Sequence, residues 1–141
     1  MRVCVEYKLK ILDLFSGIGG FSYAAEKLVG GFETIAFCEQ DEFCKKVLNK
    51  HWEDVPIYED VRRLDGKKIK ADVVVGGFPC QAVSTSGKRR GTEDDRWLWD
   101  EMFRIIQTTK PKWIIGENVP GLISIDEGFL FGQVLSDLES Q

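Results

Sequence analysis

Ala71-Asp72-Val73-Val74-Val75-Gly76-Gly77-Phe78-Pro79-Cys80-Gln81 reads as a buried strand leading into a glycine- and proline-rich exit that carries a cysteine. A short β-branched run bounded by turn residues is the pattern of a strand covered on both faces. Two other stretches share the design of an apolar strand followed by a polar tip: Ile11-Leu12-Asp13-Leu14-Phe15-Ser16-Gly17-Ile18-Gly19-Gly20-Phe21 upstream and Trp113-Ile114-Ile115-Gly116-Glu117-Asn118-Val119 downstream. Working outward from these, the patterning predicts strands over 10–15, 34–38, 57–58, 72–75 and 112–115. Helical periodicity falls between and after them, over 19–29, 41–50 (with Asp41 near its cap), 96–108 and 129–138. Strands alternating with helices predict an α/β fold with a mostly parallel sheet.

The chain of 141 residues is one domain on ordinary length priors, with 43% hydrophobic and 30% charged residues. No apolar run approaches the roughly 20 residues needed to cross a membrane, and Met1-Arg2-Val3-Cys4-Val5-Glu6-Tyr7-Lys8 lacks the unbroken apolar stretch of a secretory signal. A cytoplasmic location is expected. Cys4, Cys38, Cys44 and Cys80 show no C-x-x-C spacing and the single histidine is His51, so no metal site is expected. Cys38 and Cys44 lie in apolar surroundings and read as small core residues, and His51 beside Trp52 reads as a helix end. A net charge of -4 argues against clamping nucleic acid by bulk electrostatics. Arg62-Arg63 with Lys67, Lys68 and Lys70 reads as a solvated loop face, whereas Lys88-Arg89-Arg90 with Arg96 sits just beyond Cys80.

In a parallel sheet the ligand lies beyond the carboxyl ends of the strands, where the strand order reverses, so the residues at those ends are the ones to interpret. Gly17, Gly19 and Gly20 allow a tight turn and close backbone approach to a ligand. Glu39 lies about twenty residues further on, at the tip of the second strand, where an acid can accept from both ribose hydroxyls. The spacing Phe-Ser-Gly-Ile-Gly-Gly departs from G-x-G-x-x-G and provides no evident seat for two phosphates. S-adenosylmethionine, which has a ribose and no phosphate, fits better. Phe15 is placed to pack on its adenine, and Asp60 either accepts from the adenine amino group or is simply a turn residue.

Pro79 fixes its own φ and biases Phe78 toward extended backbone, so the Cys80 thiol leaves the strand in a defined direction, as a nucleophile requires. Glu117, ending an apolar strand, is expected to be desolvated, with its pKa raised so that it holds a proton for a ring nitrogen. The alternative is that Glu117 and Asn118 cap a turn before Pro120 and Gly121.

Residues 13–21, Gly77 to Gln81, and Glu117-Asn118-Val119 resemble, in order and spacing, the first, fourth and sixth motifs of the cytosine-5 methyltransferase family. The resemblance implies a Rossmann-like S-adenosylmethionine-dependent methyltransferase fold. It assigns Phe15, Ser16, Gly17, Ile18, Gly19, Gly20, Glu39, Asp60, Val61 and Pro79 to the cofactor pocket. Asp95-Arg96-Trp97-Leu98-Trp99 resembles the fifth motif, with Leu98 near the methionine end and an unusual choice of aromatics at Trp97 and Trp99. The implied reaction is covalent: Cys80 adds to carbon 6 of a cytosine extruded from the helix, Glu117 contacts nitrogen 3, carbon 5 takes the methyl group, and Asn118 positions the cysteine loop. Gln81, Ser84, Ser86, Lys88, Arg89 and Arg90 resemble the loop that closes over the base and its phosphates in double-stranded DNA.

The family's Gln-x-Arg-x-Arg motif, its target-recognition region and its closing helix are not found, so residues 1–141 are expected to be the amino-terminal, cofactor-binding part of the catalytic domain. An uncovered sheet edge is then expected, and with it an oligomer or a second polypeptide supplying the remainder. A tRNA cytosine-5 methyltransferase and a non-catalytic S-adenosylmethionine-binding protein are the alternatives. Restriction-modification, phage self-protection and epigenetic marking are equally compatible with these residues.

Overall fold

The computed structural model describes residues 7–79 and 97–141. Strands β1 (Leu9–Leu14), β2 (Phe32–Cys38), β3 (Ile57–Tyr58), β4 (Val73–Gly77) and β5 (Trp113–Glu117) form one parallel sheet in the order β3-β2-β1-β4-β5. The helices are α1 (Gly20–Tyr23), α2 (Glu42–His51), α3 (Trp99–Thr109) and α4 (Phe129–Glu139). The chain lays down β1, adds β2 and β3 on one flank, and then crosses to build β4 and β5 on the other. That reversal opens a crevice beyond the carboxyl ends of β1 and β4.

Side chains alternate across the sheet with period two. Leu12, Leu14 and Val74 join Met102, Ile105 and Ile106 of α3 and Leu130 and Val134 of α4 in one buried cluster. Ile11, Val73 and Val75 form a smaller cluster on the other face, against Ala25. Covering on both faces explains why the central strands read as continuous apolar runs. At the amino ends of the strands Asp72 accepts from the Lys10 amide (3.0 Å), the Tyr7 hydroxyl (3.0 Å) and Lys112 Nζ (2.9 Å). These donors hold its carboxyl down at about 2 and pin the end of the sheet opposite the crevice.

Two elements differ from the sequence expectation by more than a residue or two. The helix over 19–29 divides into α1 and a π-helical stretch, Ala24–Val29, that ends at Gly30 and Gly31, with φ 82° and 80°. Within it Glu26 accepts from the Thr34 amide (2.7 Å) and the Trp52 indole (2.9 Å), so long-range bonds to β2 and to the end of α2 accompany the departure from α geometry. The helix expected from 96 begins instead at Trp99, because Leu98 is non-helical (φ -110°, ψ 17°) and Trp97 is buried against Phe78.

Asp13 is buried within β1, and its Oδ2 accepts from Ser22 Oγ of α1 (2.7 Å), tying the helix start to the strand below it. Its Oδ1 has no partner, and burial, reinforced by the Glu39 charge, pushes the carboxyl up to about 7. A folded-state pKa raised above the ordinary 3.8 gives stability that is fully present below pH 3.8 and is lost as pH rises through about 7. Relative to the native chain, Asp13→Asn is expected to gain up to the order of 4 kcal/mol between pH 4 and pH 7 and nothing further above that window. Urea midpoints of both proteins across it are the check, and parallel curves would refute a buried, titrating Asp13.

Candidate active site

The exit of β1 is built from left-handed residues: Phe15 at φ 52°, Gly17 at 54° and Gly19 at 86°. For Phe15 this conformation costs about 1–2 kcal/mol and persists only because the surroundings impose it. Ser16 is the anchor between two of these residues. Its amide donates to Cys38 O (3.2 Å) and its hydroxyl to Asp13 O (2.6 Å), so the side chain is used inside the turn. Gly19 has its own reason: a Cβ there would come within 2.8 Å of the Trp52 ring and 2.9 Å of Leu48. The glycine requirement at 19 therefore comes from packing on α2 as well as from its left-handed backbone, whereas around Gly17 and Gly20 there is open space.

Glu39, at the tip of β2, accepts from the Gly17 amide (2.7 Å) and the Asp41 amide (2.8 Å). Asp41 in turn caps α2 by accepting from the Cys44 amide (2.9 Å). With the Gly19 amide donating to Ser16 O (2.9 Å), the amides of residues 16, 17 and 19 are all engaged by protein acceptors.

Six of the residues singled out from the sequence, Phe15, Glu39, Asp60, Val61, Pro79 and Leu98, line one cavity of about 250 Å³ at the crevice. Its walls come from the ends of β1, β2, β3 and β4 and the start of α3. Asp60 serves as a turn residue as well, with its Oδ1 accepting from the Arg62 amide (2.9 Å). Ser16, Gly17, Ile18, Gly19 and Gly20 are not part of the cavity wall, and Ile18 is exposed. Gln40, Glu59 and Arg62 also line the cavity, although sequence reasoning had passed over them as cofactor-binding residues. Their only signal was adjacency to Glu39 and Asp60. Cys38 lines it too, with burial pushing its thiol up to about 12, so it is no nucleophile.

Beyond β4 the chain runs between two cavities. Pro79 and Gly77 face the polar one, and Phe78 lines an apolar groove of about 420 Å³ with Glu117, Asn118 and residues of α4. Phe78 is gripped by Trp97 and Trp99, at ring-centre distances of 5.8 Å and 5.2 Å, and the Trp99 indole donates to Asp137 (2.8 Å). The unusual aromatics of the fifth-motif region thus hold the β4 exit. Asn118 Nδ2 donates to Phe78 O (2.9 Å), joining the exits of β5 and β4. Glu117 stands in register with Gly77, and a Cβ on Gly77 would lie 2.9 Å from its Oε2. The expectation that Glu117 is desolvated is corrected: it is exposed, because β5 is an edge strand and no described element covers the outer side of its tip. Cys80, Gln81, Ser84, Ser86, Lys88, Arg89 and Arg90 lie outside the described residues.

The model of the C-5 cytosine-specific DNA methylase family matches residues 9–141. The chain is 39% identical to the type II methyltransferase M1.ScrFI of Lactococcus lactis subsp. cremoris, over 94% of this chain and 34% of that protein. It is 38% identical to the orphan methyltransferase M.SPRI of Bacillus phage SPR, over 86% of this chain and 28% of that protein, and 38% identical to M.HhaI of Haemophilus parahaemolyticus, over 85% and 36%. It therefore spans about a third of the length of these curated relatives. A crystal structure of a Spodoptera frugiperda DNMT2 variant superimposes with a TM-score of 0.71 at 25% identity, over 92% of this chain and 41% of the other. The S. pombe Dnmt2 methyltransferase reaches 0.71 at 17% identity, over 92% and 40%, a likeness of fold. With a parallel sheet of this order, a crevice carrying Glu39 and Asp60, and a family match over nearly its whole length, the chain belongs to the C-5 cytosine-specific DNA methylase family.

Proposed function

We propose that residues 1–141 are the amino-terminal, cofactor-binding part of the catalytic domain of a DNA cytosine-5 methyltransferase. The observation that carries this reading is that Phe15, Glu39 and Asp60 meet in one cavity, and that this cavity adjoins the β4 exit leading to Cys80. The family's own description favours DNA over tRNA as substrate. A non-catalytic binding protein would need neither Cys80 nor Glu117.

The cavity suits S-adenosylmethionine on its own chemistry. Each Glu39 oxygen has capacity left after its one amide bond and can accept from a ribose hydroxyl. Asp60 keeps acceptor capacity for the adenine amino group, Phe15 offers a ring face, and a turn in which the amides of residues 16, 17 and 19 are engaged by protein suits a ligand without phosphate. When bound, S-adenosylmethionine supplies an electrophilic methyl group. The Cys80 thiolate adds to carbon 6 of the extruded cytosine, forming a carbon–sulfur bond and driving the double-bond electrons onto carbon 5. Glu117 contacts nitrogen 3 while charge develops on the ring. Carbon 5 would then take that methyl group as the methyl's bond to the sulfonium sulfur breaks, and loss of the carbon 5 proton to a base with expulsion of the thiolate would restore the double bond. Asn118 holds the Phe78 carbonyl and so fixes the β4 exit two residues before Cys80 in the chain. Gln81, Ser84, Ser86, Lys88, Arg89 and Arg90 contact the DNA. The free thiols Cys38 and Cys44 suit a reducing cytoplasm.

Recognition of a target sequence requires residues beyond these, supplied by an oligomer or a second polypeptide that covers β5 and its apolar groove, where Ile115, Val119, Ile123 and Leu135 are exposed. A sharply monomeric, well-folded chain in sedimentation would count against that cover.

Calorimetric titration with S-adenosylmethionine and S-adenosylhomocysteine is expected to give saturable binding, weakened about tenfold to a hundredfold in Glu39→Ala through the loss of charged hydrogen bonds. Equal affinity in the variant would remove Glu39 from the pocket. With the cofactor present, duplex DNA carrying 5-fluorocytosine is expected to form a denaturation-resistant adduct that Cys80→Ser abolishes at unchanged cofactor affinity. An adduct that survives the substitution would assign the nucleophile elsewhere.

A further inference from the structure

Arg104, on the second turn of α3, was not among the residues singled out from the sequence, and it touches none of the groups placed in the reaction. Its guanidinium donates through Nη1 to Leu64 O (3.0 Å) and through Nη2 to Val61 O (2.8 Å) and Arg62 O (3.3 Å), while Nε donates to Glu101 Oε2 (2.9 Å). Three carbonyls of one short segment are thus gripped by a single planar fork. That segment, a 3-10 turn over Val61–Arg63, follows β3, which is only two residues long, and it makes no strand pairing of its own.

The geometry points to Arg104 as the positioning residue that aims Asp60 and so sets the base selectivity of the nucleoside pocket. The Val61 carbonyl and the Arg62 amide belong to the same peptide unit, which is planar and trans, so its oxygen and its N–H point in opposite directions. Arg104 Nη2 holds the oxygen (2.8 Å), and the N–H of that unit donates to Asp60 Oδ1 (2.9 Å). Fixing one end of the unit fixes the other, and a charged donor on the carbonyl also strengthens what the amide gives. Asp60, Val61 and Arg62 line one wall of the cavity, and Leu98, immediately before α3, lines another. Helix α3 is docked closely against the next stretch of the same segment: a Cβ on Gly66 would run into Thr108 Oγ1 and lie 2.8 Å from Thr109 Oγ1. Arg104 therefore couples the two walls, and it directs the carboxylate that distinguishes an amino group from an oxygen on the purine.

This inference rests on the reading of the cavity as a nucleoside site, and the test separates the two. The full chain is titrated with S-adenosylhomocysteine and with S-inosylhomocysteine, which replaces the purine amino group by an oxygen that an aspartate repels. The native chain is expected to prefer the adenine ligand by about tenfold or more, the equivalent of one hydrogen bond to a charged group. In R104M, which keeps the apolar stem, the preference is expected to fall to nearly one. R104K, which keeps the charge without the fork, should be intermediate and serves if R104M fails to fold. A residue that merely stabilised the fold would lower the melting temperature and weaken both ligands equally, so an unchanged ratio in folded R104M or R104K overturns the role of Arg104. A native chain that binds neither ligand overturns the nucleoside reading and Arg104's role with it, and a native chain that binds both equally removes Asp60 as the discriminator.

Discussion

The carboxylate of Glu39 is the contact on which the crevice depends. Through one oxygen it holds the Gly17 amide (2.7 Å), and through the other the Asp41 amide (2.8 Å), so one side chain joins the exit of β1 to the start of α2. Its own amide donates to Tyr58 O (2.9 Å), bringing in β3. A charged acceptor shared by two backbone donors is among the stronger single arrangements available at a protein surface. It helps offset the cost of turning Phe15 into the left-handed region, and it engages the Gly17 amide of the turn. Underneath, Gly19 lies against Trp52 and Leu48, and Glu26 holds the Trp52 indole, so α2 and the π-helical stretch support the same turn from the far side.

The other half of the site depends on packing where the first depends on hydrogen bonds. Phe78 is wedged between Trp97 and Trp99, and Asn118 holds its carbonyl, so the chain is directed at the point where it approaches Cys80. Side chains from α3 and from the end of β5 meet at this exit, 21 and 40 positions from Phe78 for Trp99 and Asn118 respectively. Glu117, by contrast, stands at the uncovered edge, and its exposure follows from its place on the last strand of the sheet order. A carboxylate there is solvated unless another surface closes over β5.

Much of this architecture was legible because local rules agree with one another. The apolar runs at 11–14 and 73–75, the cap at Asp41, and the glycine-rich exits each announce an element without reference to the rest of the chain. The parallel arrangement follows from strands alternating with helices, and placing the ligand beyond the strand ends follows from the arrangement. What was not legible lies where partners are distant in sequence. Nothing local to residues 24–29 announces a π-helix, since its setting depends on Glu26 reaching both Thr34 and Trp52. Nothing local to Arg104 announces that it grips carbonyls about forty residues earlier. Gly19 was read as making room for a ligand, yet the room is taken by Trp52.

The sequence by itself determined the fold class, the order of strands and helices, the family through three ordered motifs, and Glu39 and Asp60 as carboxylates to look for at the strand ends, where both line the crevice. Each of these is written in residue type and spacing, because backbone preference, periodicity and turn chemistry act over a few residues. The tertiary structure alone decided which face each side chain serves: Ser16 and Gly19 turned inward, Gln40, Glu59 and Arg62 on the cavity wall, Trp97 and Trp99 around Phe78, and Glu117 in solvent. Those outcomes depend on the register at which helices dock on the sheet, which sums many weak contacts between residues far apart in the chain.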